Sequence, residues 1–280
     1  MKGWGVGETK EHDMPEQDSQ LRQIKEQDSA MMLAALGVLA YAGSMMTHEA
    51  LGHGGYCLAF GGHNVMLTAW GESCDLRAAG IEAAGPLVQF GAGLLAWRML
   101  RQVSPTAARL RYFLWLYMVF GLLVSSGYVV FSGVTNFGDA AVLIAGLQPS
   151  AVWRGSLVVL GSVSYFLCMR VGAIELKRFS GTGDGGRRLW RLVFIPYVAA
   201  GVFACCSGAL NQTMGPAAAV GLAAASSFGA GFGLLRLPDM QRRLPNETSS
   251  ARYVTWNTGW GIAAAVTILL FLFFIGPGLK

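Results

Sequence analysis

Long apolar stretches separated by short polar segments dominate the chain from residue 30 onwards. Each stretch has about 20 residues or more, the length that a helix needs to cross a hydrocarbon core of about 30 Å. A helix also satisfies its own backbone hydrogen bonds in lipid, which a lone strand does not. The pattern therefore predicts seven membrane-spanning helices, at residues 30–59, 78–100, 110–132, 153–176, 189–211, 214–236 and 258–278.

Two parts of the chain interrupt this pattern. Residues 1–29 are polar and contain no apolar core of the kind found in signal peptides, so we expect a flexible N-terminal tail. Residues 133–152 are shorter than a full span and contain glycine, which predicts a loop or a segment that dips into the membrane. Residues 30–280 are predicted to form a single transmembrane domain.

Composition agrees with a membrane protein. Hydrophobic residues make up 53% of the 280 residues and charged residues 13%, whereas a soluble domain has about 25% charged residues. Charged residues are scarce mainly within the apolar stretches. The expected fold class is therefore all-α, a polytopic membrane helix bundle. The Lys and Arg residues that give the formal charge of +5 cluster beside these stretches, so no nucleic-acid partner is predicted.

The basic residues also predict an orientation. The connections after the second, fourth and sixth predicted spans are each flanked by four Lys or Arg residues, whereas the alternate connections carry one or none. Positively charged connections stay on the cytoplasmic side of a membrane. We therefore expect a cytoplasmic N-terminus and an outer C-terminus, in a bacterial inner membrane.

Three ionisable residues, His48, Glu49 and His53, interrupt the first apolar stretch in the order His-Glu-Ala-Leu-Gly-His. Ionisable groups within a membrane span are costly and usually functional. Neutral imidazoles bind Zn²⁺, and a catalytic zinc site keeps one position open for a water whose proton a nearby carboxylate can take. The segment therefore predicts a Zn²⁺ site with His48 and His53 as ligands and Glu49 as the catalytic base.

The spacing of the two histidines leaves two local arrangements open. In the common His-Glu-x-x-His motif the histidines are four residues apart and share a helical face. Here they are five apart, which on a regular helix turns one about 140° away from the other. A π-helical turn, made inexpensive by nearby glycines, would bring both onto one face. Alternatively, Glu49 and His53 share a face and His48 points elsewhere.

The segment resembles the zinc motif of the site-2-protease class of membrane metalloproteases, whose core carries His-Glu-x-x-His on one membrane helix. Residues 84–87, Ala-Gly-Pro-Leu, are similar to a stretch on that class's next helix, and residues 136–139, Asn-Phe-Gly-Asp, to a later segment. The chain departs from the class in the extra residue of the zinc motif and in Gln89, where the class often has Asn. The six-residue form also looks like the His-Glu-x-x-Gly-His motif of the soluble dipeptidyl-peptidase III family, in which both histidines bind zinc.

The resemblance covers approximately residues 40–145 and implies an intramembrane zinc endopeptidase with its core at about residues 30–150. It implies that Asp139 is the third zinc ligand. It also implies membrane lipid and a membrane-anchored or membrane-proximal protein substrate as partners. Glu82, an acid within the second apolar stretch, is the rival third ligand because intramembrane carboxylates are usually functional.

Two other functions stay open on the sequence alone. The same polar cluster would suit a transport or binding protein for an ion or small solute, although the fourth and later spans are expected to lack the buried charge that transporters use. An inactive member of the family would keep the fold as a scaffold. The sequence also leaves open a disulfide between Cys57 and Cys74, which would require that both face an oxidising compartment.

Overall fold

The computed structural model of the chain describes residues 27–76, 78–179, 186–244 and 252–279. Seven of its helices are long and apolar enough to cross a membrane, which confirms the predicted all-α bundle. We number them as the first to seventh spans. Their bounds are close to those predicted, at Ala30–Ala59, Ala79–Gln102, Ala108–Thr135, Ser150–Phe179, Arg187–Ala209, Pro216–Arg242 and Thr258–Ile275.

The first and third spans form the centre of the bundle, and the seventh is the least buried. The first span packs against the third, fifth and seventh, and its last part packs against the second. Small residues allow these close approaches. A Cβ atom on Gly37 of the first span, for example, would lie 2.6 Å from the Cα atom of Pro196 in the fifth.

The last residues of the predicted tail hold the start of the first span against the bundle. Residues 1–26 of that tail lie outside the part of the chain that the structure describes. Asp28 is buried and accepts hydrogen bonds from the Nε of Arg188 at 2.6 Å and from the backbone N–H of Val254 at 2.7 Å. Ser29 caps the span by accepting a hydrogen bond from the backbone N–H of Met32. These contacts connect the first span to the fifth and to the segment before the seventh.

An antiparallel hairpin follows the first span, and the apolar pattern did not predict it. Its strands are Asn64–Thr68 and Gly71–Cys74. Cys74 forms a disulfide with Cys57, the pairing that the sequence left open. The disulfide fastens the second strand to the end of the first span, so the hairpin lies over that end.

The other strand of the hairpin is held by the end of the chain. Leu67 and Leu279 exchange two backbone hydrogen bonds of 2.9 Å each. The segment after the seventh span therefore contributes to the position of the hairpin.

A buried acid in the fourth span contradicts the expectation that the later spans lack buried charge. Glu175 is 2% exposed and accepts a hydrogen bond from the indole N–H of Trp97 at 2.8 Å. Its other oxygen lies 3.1 Å from the Nε of Arg178. The expectation failed because an ion pair and a hydrogen bond compensate the carboxylate near the end of the span.

Candidate metal centre

The His-Glu segment lies in a π-helical stretch, Thr47–Gly54, within the first span. Hydrogen bonds in a π-helix join residues five apart, so such residues lie close together. The Nε2 atoms of His48 and His53 are consequently 3.1 Å apart. The structure thus contains the local distortion that the five-residue spacing requires, and His48 does not point away from His53.

Glycine residues bring the second span directly against this stretch. A Cβ atom on Gly52 would lie 2.5 Å from the Cα atom of Gly85, and one on Gly85 would overlap the ring of His53. Ala84 and Gly85, the first two residues of the Ala-Gly-Pro-Leu stretch, therefore lie directly against the histidine segment.

A tight turn after the third span positions Asp139 beside His48 and His53. Asn136 ends the span with φ of 57° and Gly138 follows with φ of 89°. Glycine and asparagine are the residue types that adopt such left-handed conformations most readily. The turn directs the chain into a short helix, Asp139–Leu143, which packs against the second span.

Asp139 completes a cluster of three buried or nearly buried side chains. Its Oδ2 lies 3.2 Å from the Nε2 of His48 and 3.3 Å from the Nε2 of His53. The Oδ2 of Asp139 therefore lies at contact distance from both imidazole nitrogens.

Hydrogen bonds fix the remaining nitrogen of each imidazole. The Nδ1 of His53 donates to the carbonyl oxygen of Ile81 at 2.8 Å, and the Nδ1 of His48 donates to the Oε1 of Gln89 at 3.1 Å. Gln89 is itself oriented, because its Nε2 donates to the hydroxyl of Ser44 at 3.0 Å and to the Ser44 carbonyl at 3.3 Å. With Nδ1 protonated, a neutral imidazole presents a lone pair at Nε2.

Three electron-rich atoms therefore converge on one point, and the Oδ2 of Asp139 has no hydrogen-bond partner among the described residues. Such atoms repel one another unless a cation lies between them. Ligands at about 2.0–2.1 Å from a tetrahedral Zn²⁺ lie about 3.3 Å apart, close to the three distances here. The cluster has the donor set and the spacing to hold a metal ion.

Comparisons with known proteins do not assign the chain to a family. No family model, curated protein or solved structure matches it. The resemblance of residues 40–145 to the site-2-protease class therefore stays a prediction.

The predicted base and the rival ligand line the same cavity, which has a volume of about 140 Å³. Glu49 is 6% exposed, and none of the hydrogen bonds or ion pairs among the described residues engages its carboxylate. Glu82 also faces the cavity, but it is not part of the group of ligand atoms that lie within 4.8 Å of one another. The geometry therefore favours Asp139 over Glu82 as the third member of the cluster.

Two residues of the cavity wall, Trp70 and Glu72, were not identified from the sequence. Both belong to the hairpin, and the indole N–H of Trp70 and the Oε1 of Glu72 are buried without a hydrogen-bond partner in the part of the chain that the structure describes. Burial raises the pKa of the Glu72 carboxyl. The signal that could have identified them is the cysteine pair, because a Cys57–Cys74 disulfide folds the intervening residues over the end of the first span.

Proposed function

We propose that this chain is an intramembrane zinc-dependent endopeptidase. The observation that carries the proposal is the convergence of His48, His53 and Asp139 within 3.3 Å, beside the unengaged carboxylate of Glu49. Two imidazoles and a carboxylate are the donor set of catalytic zinc sites that have three protein ligands and one open position. These three residues would hold the Zn²⁺, and the cavity would give water and substrate access to it.

The roles of the neighbouring residues follow from their contacts. A bound Zn²⁺ would acidify water and polarise the peptide carbonyl. Glu49 would take a proton from the attacking water and pass it to the departing amine, because its carboxylate lines the cavity and has no competing partner. Gln89 and the carbonyl of Ile81 would keep the imidazole lone pairs directed at the metal.

A second, largely apolar cavity supports a membrane-anchored or membrane-proximal protein as the substrate. It has a volume of about 570 Å³ and lies between the third, fourth and sixth spans. It shares lining residues with the metal cavity, namely Val124, Tyr128, Leu222 and Ser226. An apolar segment in the lipid could therefore approach the metal centre without passing through water.

The disulfide supports the orientation predicted from charge. Cys57 and Cys74 pair at the end of the first span, close to the metal centre, and disulfides persist in oxidising compartments. We therefore propose that this end of the bundle lies outside the cytoplasm and the N-terminus inside, as the basic connections predict for a bacterial inner membrane.

Metal analysis and a cleavage assay test the proposal together. Purified wild-type protein should contain about one zinc ion per chain and cleave a mixture of quenched fluorescent peptides in detergent. Glu49→Gln should keep the zinc and lose cleavage, whereas His48→Ala and His53→Ala should lose both. Full zinc in His48→Ala would show that the two-histidine assignment is wrong. If the wild type and Glu49→Gln both bind zinc and neither cleaves the peptides, a transport, binding or scaffold function is favoured instead.

A further inference from the structure

Two cavities meet beside the metal cluster. The metal cavity shares Glu72, Ile81 and Glu82 with another cavity of about 560 Å³, which lies between the hairpin, the start of the second span and Val142. Glu72 and Glu82 therefore lie at the junction through which a ligand would pass from one cavity into the other.

The lining of the metal cavity is rich in acidic side chains. Four carboxyl groups line it, from Glu49, Glu72, Glu82 and Asp139, and its lining contains no Lys or Arg. Neither Glu72 nor Glu82 forms an ion pair with another described residue. A ligand that brought positive charge to this junction would therefore be favoured.

The hairpin contributes unpaired hydrogen-bonding groups to the same place. Trp70 is 4% exposed and lines the metal cavity, and its indole N–H has no partner among the described residues. The Oε1 of Glu72, two residues further along, is likewise buried and unpaired. Buried polar groups in native proteins are almost always paired. A donor and an acceptor left open on one wall therefore point to a ligand that supplies both partners.

We propose that Glu72 and Glu82 bind a positively charged side chain of the substrate, Lys or Arg, next to the bond that is cleaved, and that the indole N–H of Trp70 donates to the substrate backbone. The proposal rests on the peptidase function and deepens it by naming a substrate class. Ionised partners form the stronger hydrogen bonds. An acidic residue at the same position would be repelled, so the acids act as specificity-determining residues.

Two zinc-binding probes that differ in a single ammonium group test this proposal. Lysine hydroxamate and norleucine hydroxamate share the chelating group and the α-amine, and only the first has a side-chain cation. Their dissociation constants are measured with the zinc-loaded full-length protein in detergent. Wild type should bind lysine hydroxamate on the order of tenfold more tightly, as expected for a charge-assisted contact.

The variants separate the two acids from the metal. Glu72→Gln and Glu82→Gln should each reduce the ratio of the two dissociation constants towards one, while zinc content and norleucine hydroxamate binding stay at the wild-type level. Asp75→Asn is the matched control, because Asp75 is an exposed acid beside the hairpin that pairs with His63 and does not line the metal cavity. It should keep the wild-type ratio.

The outcomes that would overturn the two proposals differ. If wild type binds zinc and both hydroxamates equally well, the cation preference is wrong and the metal centre stands. If wild type binds neither zinc nor either probe, the proposed function fails and the cation preference fails with it.

Discussion

Gln89 is the side chain that holds His48 in place. It is 1% exposed, its Oε1 accepts from the Nδ1 of His48, and the hydroxyl of Ser125 donates to the same oxygen at 2.9 Å. Groups that orient a metal-binding histidine contribute about 10–100-fold to metal affinity. Gln89→Leu should therefore weaken zinc binding by about that factor, measured by competition with a chromophoric chelator.

The matched control for Gln89→Leu is Ser126→Ala. Ser126 is buried on the third span beside Ser125, but its hydroxyl lies 2.8 Å from that of Ser164 and does not contact Gln89. Ser126→Ala should leave zinc affinity unchanged. An equal loss in both variants would mean that the effect comes from general packing rather than from the orientation of His48.

The choice between Asp139 and Glu82 gives a second prediction at the scale of single residues. Asp139→Ala should remove most of the zinc, because the Oδ2 of Asp139 lies within 3.3 Å of both imidazoles. Glu82→Ala should remove little, because Glu82 lies outside that group of ligand atoms. Zinc content per chain, measured by mass spectrometry on purified protein, decides between them. If Asp139→Ala keeps its zinc and Glu82→Ala loses it, Glu82 rather than Asp139 is the third zinc ligand.

The contact between the π-helical stretch and the second span is predicted to be essential for the metal centre. A Cβ atom on Gly85 would overlap the ring of His53, and overpacking of this kind typically costs about 1–3 kcal/mol and shifts neighbouring side chains. Gly85→Ala should therefore lower zinc content and the thermal stability of the zinc-loaded form. Gly91→Ala, on the same helix with no atom within 4 Å of the added Cβ, is the control and should behave as wild type. Normal zinc content in Gly85→Ala would show that His53 can bind from another position.

Elements whose form is dictated locally could be predicted from the sequence, and contacts between elements could not. The five-residue interval between His48 and His53 required a π-helical turn if both were to share a face, and that turn is present. Gln89 was noted only as a departure from a family pattern, yet it contacts His48 across 41 positions of the chain. Trp70 and Glu72 reach the cavity only because the hairpin folds over it. The pattern of apolar residues in the sequence does not predict that fold.

For the whole molecule, the seven spans could be predicted because lipid imposes a minimum apolar length on every crossing helix. Length alone carries no information about which spans pack together. The position of Asp139 illustrates the difference. Its place after the third span was clear from the sequence, but its distance from the histidines depends on the left-handed turn at Asn136 and Gly138.

The membrane face of the metal centre gives the last prediction, and the third span provides a matched pair of positions for it. Ser104 precedes this span and Ala145 follows it, and both are exposed. The basic connections predict that Ser104 lies in the cytoplasm and Ala145 outside. Single cysteines at these positions differ little in size from the residues they replace. The background should lack the free Cys168, Cys205 and Cys206 but keep the Cys57–Cys74 disulfide.

A membrane-impermeant maleimide added to intact bacterial cells should label Ala145→Cys, and it should label Ser104→Cys only after the membrane is permeabilised. The physical reason is that the positively charged connections resist translocation, while the disulfide beside the metal centre needs an oxidising compartment. Asp139 lies at the same end of the third span as Ala145. Labelling of Ala145→Cys from outside therefore places the metal centre towards the outer face, where substrates would enter. The reverse labelling pattern would place the centre near the cytoplasm and would leave the disulfide in a reducing compartment, so both orientation arguments would fail together.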